Sequence, residues 1–274
     1  MVERPLQRVA SVTTDVSTAY QGFADAWARG PAMLYDQLAS VAIAEVAREL
    51  RGATVLDVGA GTGALCRVLR HAGAIPVALD SSNDMLSLAG DAAEFALVGD
   101  MCALPFARGR FDAAVSGFAI SHVDAPEEAL REMGRVVRPG GRVIATVFGE
   151  DAARASKNAV DEVALEFGYV PPAWYIHLKT STEPRTNTPA LLRSCAESAG
   201  LDGIEVHDPT VDSGLDTPEA ITAYRTGLAY LAPFVAALTD QRREEFIDRA
   251  IAAVRQRGQR VRPRVLVLSS RAPA

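Results

Sequence analysis

The sequence predicts an α/β protein built on a seven-stranded, mostly parallel sheet that carries helical cap insertions. Between residues 53 and 148, short β-rich runs alternate with helix-patterned segments, the signature of βαβ units. Two further β-rich runs follow, at 203–207 and 264–268. Roughly fifty helix-patterned residues separate them, where a hairpin needs only about two to five, so that segment does more than close the chain.

In the first block, strands are expected at 53–58, 75–79, 94–98, 111–118 and 142–148. Helices fill the gaps at 63–72, 83–89 and 125–137, the last ended by the turn Pro139-Gly140-Gly141. Residues 150–188 read as an insertion, a helix at 156–167 followed by the proline- and aromatic-rich loop PPAWYIHLK. Regular α/β pattern resumes with a helix at 189–199 and the strand at 203–207, and helices at 218–231 and 240–256 precede the last strand. The chain therefore divides into an N-terminal helical lid (1–50), a core (51–149), the insertion (150–188) and the end of the sheet (189–274) with its cap insertion at 209–261.

The 274 residues suffice for one large domain with insertions, and 49% apolar with 23% charged residues is the composition of a packed globular protein. A net charge of -6 makes the phosphate backbone of nucleic acid a poor partner. Cys66, Cys102 and Cys195 are odd in number, widely spaced and set among apolar neighbours, which argues against a disulfide framework and against a metal site. No secretory h-region and no run of 18 apolar residues is present, so a cytoplasmic protein that does not enter the membrane is expected.

The segment VLDVGAGTG, Val55 to Gly63, leaves a buried strand for a helix through Gly59, Gly61 and Gly63, a loop that lets a ligand approach the backbone. Gly59-x-Gly61-x-x-Ala64 also satisfies the dinucleotide fingerprint, and Asp80 lies where a ribose-binding carboxylate belongs, so the loop alone specifies only an adenosine-type ligand. Asp57 separates the cases. It sits two residues before the first glycine, in a stretch free of lysine and arginine, where it repels a pyrophosphate and attracts the ammonium and sulfonium of S-adenosylmethionine. Asp100 followed by Met101 offers a side-chain acceptor and a backbone N–H to an adenine edge, although a turn residue after Gly99 explains Asp100 equally simply.

Five motifs in order, VLDVGAGTG, ALDSSNDML, VGDMCALPF, FDAAVSGFAISHV and LREMGRVVRPGG, resemble the class I, Rossmann-like S-adenosylmethionine-dependent methyltransferases. The closest resemblance is to the ubiquinone and menaquinone C-methyltransferase group and to natural-product methyltransferases. It implies S-adenosylmethionine as cofactor for the core. Gly59, Gly61, Thr62 and Gly63 would line the methionine moiety, Asp80 with Ser81 beside it the ribose, Met85 the adenine face, Asp100 and Met101 its edge, and Gly117 the amino-acid end. AYQGFADAWARG is similar to the family's aromatic N-terminal helix, with Tyr20 and Trp27 closing over the site; an aromatic stripe packed on the sheet explains the same residues.

Methyl transfer is an in-line displacement that needs alignment first and a general base only for a protonated nucleophile. His122, at the end of the fourth strand, and His177, in the aromatic insertion, are the candidates, each with an ordinary capping or packing role as its alternative. His71 and His207 read as surface residues. Trp174, Tyr175, Tyr224 and Tyr230, with Tyr20, are expected to wall an apolar acceptor pocket, or else to pack the cap onto the sheet. The arginines from 242 to 264 read as a solvated helix face rather than a site for an acidic substrate. The expected function is methyl transfer to a small organic acceptor, a secondary metabolite. The alternative is an enzyme of the same fold that keeps the cofactor as scaffold and catalyses a cyclisation.

Overall fold

The computed structural model describes residues 20–150, 155–257 and 260–274; residues 1–19 of the expected lid lie outside them. Strands β1 (Thr54–Val58), β2 (Ile75–Asp80), β3 (Phe95–Val98), β4 (Phe111–Gly117), β5 (Val137–Phe148), β6 (Asp202–His207) and β7 (Val265–Arg271) form a sheet of order β3-β2-β1-β4-β5-β7-β6. All pairs are parallel except the two made by β7, which runs antiparallel between β5 and β6. The strand order reverses between β1 and β4, and a crevice opens at such a point beyond the strand C-termini. The seven-stranded, mostly parallel sheet expected from the sequence is the one observed.

The period-two alternation of the buried strands sets the two faces. Leu56 and Val58 of β1 face the cluster filled by Leu130 and Met133 of α5 (Pro126–Val136) and by Leu192 and Ala196 of α8 (Pro189–Ser198). Val55 faces the other cluster, with Ala42 and Ile43 of α2 (Pro31–Ile43) and Leu65 and Leu69 of α3 (Ala64–His71). Asp57 follows the alternation of Val55 and meets Cys66 of α3. Helix α2 also reaches into a third cluster, where Leu34 and Leu38 join the cap helices α6 (Ala155–Glu166), α9 (Pro218–Thr226) and α11 (Asp240–Arg257) around Phe246, Ala250 and Val254. The short helices α1 (Ala24–Arg29), α4 (Asn83–Ser87), α7 (Ala173–His177) and α10 (Ala232–Ala237) complete the chain.

Four expectations need correction. The loop PPAWYIHLK is largely helical: α7 starts behind Pro172 and runs into a π-helical turn at Leu178–Thr182, because prolines tolerated at a helix start mimic loop punctuation in sequence. The helix expected over 218–231 ends at Thr226, since Gly227 lies where a Cβ would come within 2.4 Å of Pro31 Cδ and 2.5 Å of Ala26 O; Tyr230 therefore lies outside α9. Strand β5 begins at Val137 rather than Arg142, with residues 138–141 displaced from the ladder between the Phe111 and Ala113 pairings. Strand β7 continues to Arg271 instead of stopping at Leu268, pairing along the whole of β5 from Arg142.

Candidate active site

Beyond β1 the chain turns sharply at Gly59, whose φ of +74° is open to glycine and strained for other residues. A Cβ there would sit 2.3 Å from Ala119 Cβ. The loop spends its donors internally. The N–H groups of Gly59 and Ala60 both donate to Leu79 O, that of Gly63 to Ala60 O, and that of Gly61 to Asp80 Oδ2 at 2.8 Å. A phosphate-binding nest needs such N–H groups free and pointing at the ligand, so this loop does not offer a pyrophosphate what it requires.

Carboxylates define the electrostatics. Asp57 is fully buried, accepts a hydrogen bond from the Cys66 thiol at 3.1 Å through Oδ2, and among the described residues has no partner for Oδ1. Burial, reinforced by the Asp80 charge, pushes its carboxyl up to about 7. Asp80 at the end of β2 accepts from Gly61 N and from Ser82 N, and burial raises it despite those bonds. Asp100 closes its own turn by accepting from Cys102 N at 2.8 Å.

These groups border a cavity of about 790 Å³. Asp57, Gly59, Gly61, Thr62, Asp80, Ser81, Met85, Asp100, Met101, Gly117, Tyr20, His122 and His177 all line it; Gly63 does not, packing its backbone against Ala89 and Ala92 instead. Among the described residues, four aspartates and no lysine or arginine contribute to its wall. His122, in a 3₁₀ turn over Ile120–His122, is held down to about 4 by burial, so its ring is neutral across the physiological range. His177 Nε2 lies 2.6 Å from Asp124 Oδ1, a pairing between the insertion and the β4–α5 connection. His71 and His207 are exposed.

A train of rings closes one side: Tyr20 edge-on to Trp27 at 5.7 Å, Trp27 stacked on Tyr35 at 4.8 Å, Tyr35 edge-on to Phe118 at 5.5 Å, and Phe118 stacked on Phe148 at 4.5 Å. Phe118, directly after β4, has φ +59° and is the one non-glycine residue with positive φ among the described residues. Strain at a strand end beside a cavity is characteristic of functional sites. Sequence reasoning passed over Tyr35, Phe118 and Asp124. Phe118 carries no local signal, because its backbone is dictated by the N–H bond to Thr146 O across the sheet.

Trp174, Tyr175, Tyr224 and Tyr230 line a second cavity of about 300 Å³, which shares Tyr20, Tyr35, Phe118 and His122 with the first. Tyr175 and Tyr230 stack almost parallel at 3.9 Å. The expectation of an apolar pocket is incomplete here, since Lys157, Asp161, Lys179, Glu183, Arg225 and Arg264 also line it. Arg225 adjoins Tyr224 in sequence, yet the helical pattern of α9 gave no sign that a guanidinium would be buried there. The arginines of α11 mostly make exposed pairs, such as Arg249 with Glu166 and Arg257 with Glu162.

The family described as "Methyltransferase domain" matches residues 56–145. The chain is 36% identical over 149 residues to the demethylmenaquinone methyltransferase of Renibacterium salmoninarum, covering 53% of this chain and 60% of that protein. It is 34% identical over 165 residues to the corresponding enzyme of Mycolicibacterium paratuberculosis, covering 56% and 69%. The matched stretch spans about half to two thirds of the length of the first curated relatives. In structure the chain resembles the protein solved with the Haloferax volcanii Trm112 methyltransferase activator (TM-score 0.56, 22% identity, 96% of this chain and 100% of that one). It also resembles the [4+2]-cyclase SpnF (TM-score 0.54, 21% identity, 87% and 82%). Sheet order, glycine loop and these likenesses together define the class: the chain belongs to the class I S-adenosylmethionine-dependent methyltransferases.

The cofactor of this family is S-adenosylmethionine, and the residues present fit it. The unpartnered Oδ1 of buried Asp57, the Gly59 turn that a Cβ would fill and the wall of four aspartates suit a cationic, phosphate-free adenosine ligand.

Proposed function

We propose that the protein transfers the methyl group of S-adenosylmethionine to a small organic acceptor seated in the second cavity. The observation that carries this reading is the pair of adjoining cavities, one acidic and glycine-bordered, the other walled by aromatic residues, meeting at Tyr20, Tyr35, Phe118 and His122. The cofactor supplies an electrophilic methyl on a cationic sulfur. Asp57, Gly59, Gly61 and Thr62 hold its methionine end beside Gly117, Asp80 with Ser81 holds its ribose, and Met85, Asp100 and Met101 hold its adenine. The ring train from Tyr20 to Phe148 excludes water, and His122 accepts the acceptor's proton at a neutral ring nitrogen when the nucleophile arrives protonated. His177, paired with Asp124, borders the first cavity and not the second, so it meets the acceptor only where the acceptor reaches across the junction.

On this reading the protein acts in the cytoplasm with its three cysteines free, on a small molecule of secondary metabolism and not on nucleic acid. Among the described residues no helix is long and apolar enough to cross a membrane. The likeness to a cyclase carries the fold alone and does not favour the scaffold reading. The test is direct: incubate the protein with S-adenosylmethionine and a metabolite panel and follow S-adenosylhomocysteine by mass spectrometry. Acceptor-dependent appearance of S-adenosylhomocysteine supports the reading. Conversion of an acceptor with S-adenosylmethionine intact contradicts it.

A further inference from the structure

The two cavities carry opposite charge, and we propose that the second selects an acceptor bearing an anionic group, a carboxylate or a phosphate monoester, bound by Arg225. This rests on the methyltransferase reading, because it names the acceptor class for that same site.

Arg225 is 8% exposed and lines the second cavity. One terminal nitrogen bonds Asp161 Oδ2, and the guanidinium lies over the Tyr230 ring at 5.2 Å. Among the described residues its Nε makes no hydrogen bond, while the Tyr224 side chain also lies against the guanidinium. A charged donor taken from water and left unmade costs free energy, and a guanidinium present only to tie α9 to α6 through Asp161 would gain nothing by bordering a cavity with a donor unspent. An anion in the cavity that Arg225 lines would place its counter-charge beside that guanidinium.

The neighbouring charges favour the same ligand. Asp161, the nearest carboxylate, has both oxygens engaged, Oδ2 by Arg225 and Oδ1 by the Tyr230 hydroxyl at 2.9 Å. Lys179 and Arg264 also line the cavity, paired with Glu183 and Asp208 through side chains 40% and 38% exposed. The Arg264–Asp208 pair, exposed on both sides, is weak and exchanges readily for a ligand anion, whereas Glu183, only 16% exposed, keeps Lys179 more firmly. Among the described residues the cofactor cavity has no lysine or arginine in its wall, so an anionic group is directed away from it and the neutral end of the acceptor faces the junction at His122. The stacked Tyr175 and Tyr230 rings offer an aromatic flank to the apolar body of the acceptor.

The experiment titrates full-length protein saturated with S-adenosylhomocysteine against matched pairs, benzoate with benzamide and phenyl phosphate with phenol, by calorimetry. At least one anion is expected to bind about tenfold or more tighter than its neutral partner, the value of one charge-assisted hydrogen bond. Which arm responds distinguishes a carboxylate from a phosphate. The double variant Arg225→Gln with Asp161→Asn, which removes both charges together, is expected to abolish the preference. If that variant does not fold, Lys179→Gln and Arg264→Gln carry the test and are expected to reduce it. Equal binding within both pairs, or no binding of either anion at about 10 mM, where a weak fragment registers, overturns the inference while S-adenosylhomocysteine still binds. Failure of S-adenosylhomocysteine to bind overturns the methyltransferase reading, and this inference with it.

Discussion

Asp57 and Cys66 form a buried pair beside the cofactor cavity in which the thiol donates to Oδ2 at 3.1 Å and, among the described residues, Oδ1 has no partner. Burial, with Asp80 nearby, raises the carboxyl to about 7, and the thiol bond is the largest opposing influence. The same surroundings raise Cys66 far above a free thiol, so it stays a donor.

Cofactor affinity is therefore expected to depend on pH. A ligand ammonium favours ionised Asp57, so the affinity for S-adenosylhomocysteine, which keeps that ammonium but not the sulfonium charge, rises with pH up to about 7, by as much as ~10-fold per unit, and levels off above it. The stability consequence has the opposite sign. The folded carboxyl holds its proton more tightly than the unfolded one, so the stability it contributes is present below 3.8 and is lost as pH rises through about 7. Calorimetry across this range, with Asp57→Asn flattening the profile, checks the assignment; an unchanged profile in the variant contradicts it.

Asp80 accepts from Gly61 N at 2.8 Å and from Ser82 N at 2.8 Å, so it organises the glycine loop as well as facing the ligand. Asp80→Ala is expected to weaken cofactor binding by about 2 kcal/mol or more, the scale of charge-assisted hydrogen bonds. Asp80→Asn, which keeps an acceptor for one N–H, is expected to lose less. Equal dissociation constants for both variants and the parent would show that this carboxylate neither shapes the loop nor meets the ligand.

Gly59→Ala places a methyl 2.3 Å from Ala119 Cβ at a φ of +74°. The strain, on the order of 1–3 kcal/mol, is expected to shift the loop, lower the melting temperature by a few degrees and abolish measurable cofactor binding. Thermal denaturation with and without S-adenosylhomocysteine reads both effects. A variant that keeps the full ligand-induced stabilisation would mean that the ligand sits elsewhere.

His122 is held to about 4 by burial, with the Glu183 charge acting against that shift and the Lys179 charge acting with it. As a base it predicts a kcat/KM profile for the acceptor, at saturating S-adenosylmethionine, that is flat between about pH 5 and 8 with loss only toward pH 4, and His122→Ala is expected to cost ~100-fold in kcat with little change in cofactor affinity. Its stability contribution falls as pH drops from 6.5 toward about 4, because only the unfolded chain takes up the proton in that window. An acid limb near pH 6.5 that disappears in His122→Ala would contradict the burial argument.

The parallel sheet was legible because buried strands and amphipathic helices alternate with different periods, and the glycine loop because Gly59, Gly61 and Asp57 need only their local order to be read. Boundaries failed where long-range contacts decide them. Gly227 stops α9 because Pro31 packs against it, and the Arg142–Phe148 segment of β5 continues to recruit β7 as far as Arg271. The acceptor side was harder. Trp174, Tyr175, Tyr224 and Tyr230 meet at one cavity although three chain segments supply them, but the charge of that cavity, set by Arg225 and Asp161, arises from tertiary packing of α6 on α9 and leaves no sequence pattern.

The central claim is that the acidic, glycine-bordered cavity binds a cationic adenosine ligand and not a dinucleotide. Parallel calorimetric titrations of the protein with S-adenosylmethionine and with NAD test it most directly. Micromolar binding of S-adenosylmethionine, lost in Gly59→Ala, with no heat from NAD, is the predicted result; micromolar binding of NAD with no detectable binding of S-adenosylmethionine would contradict it.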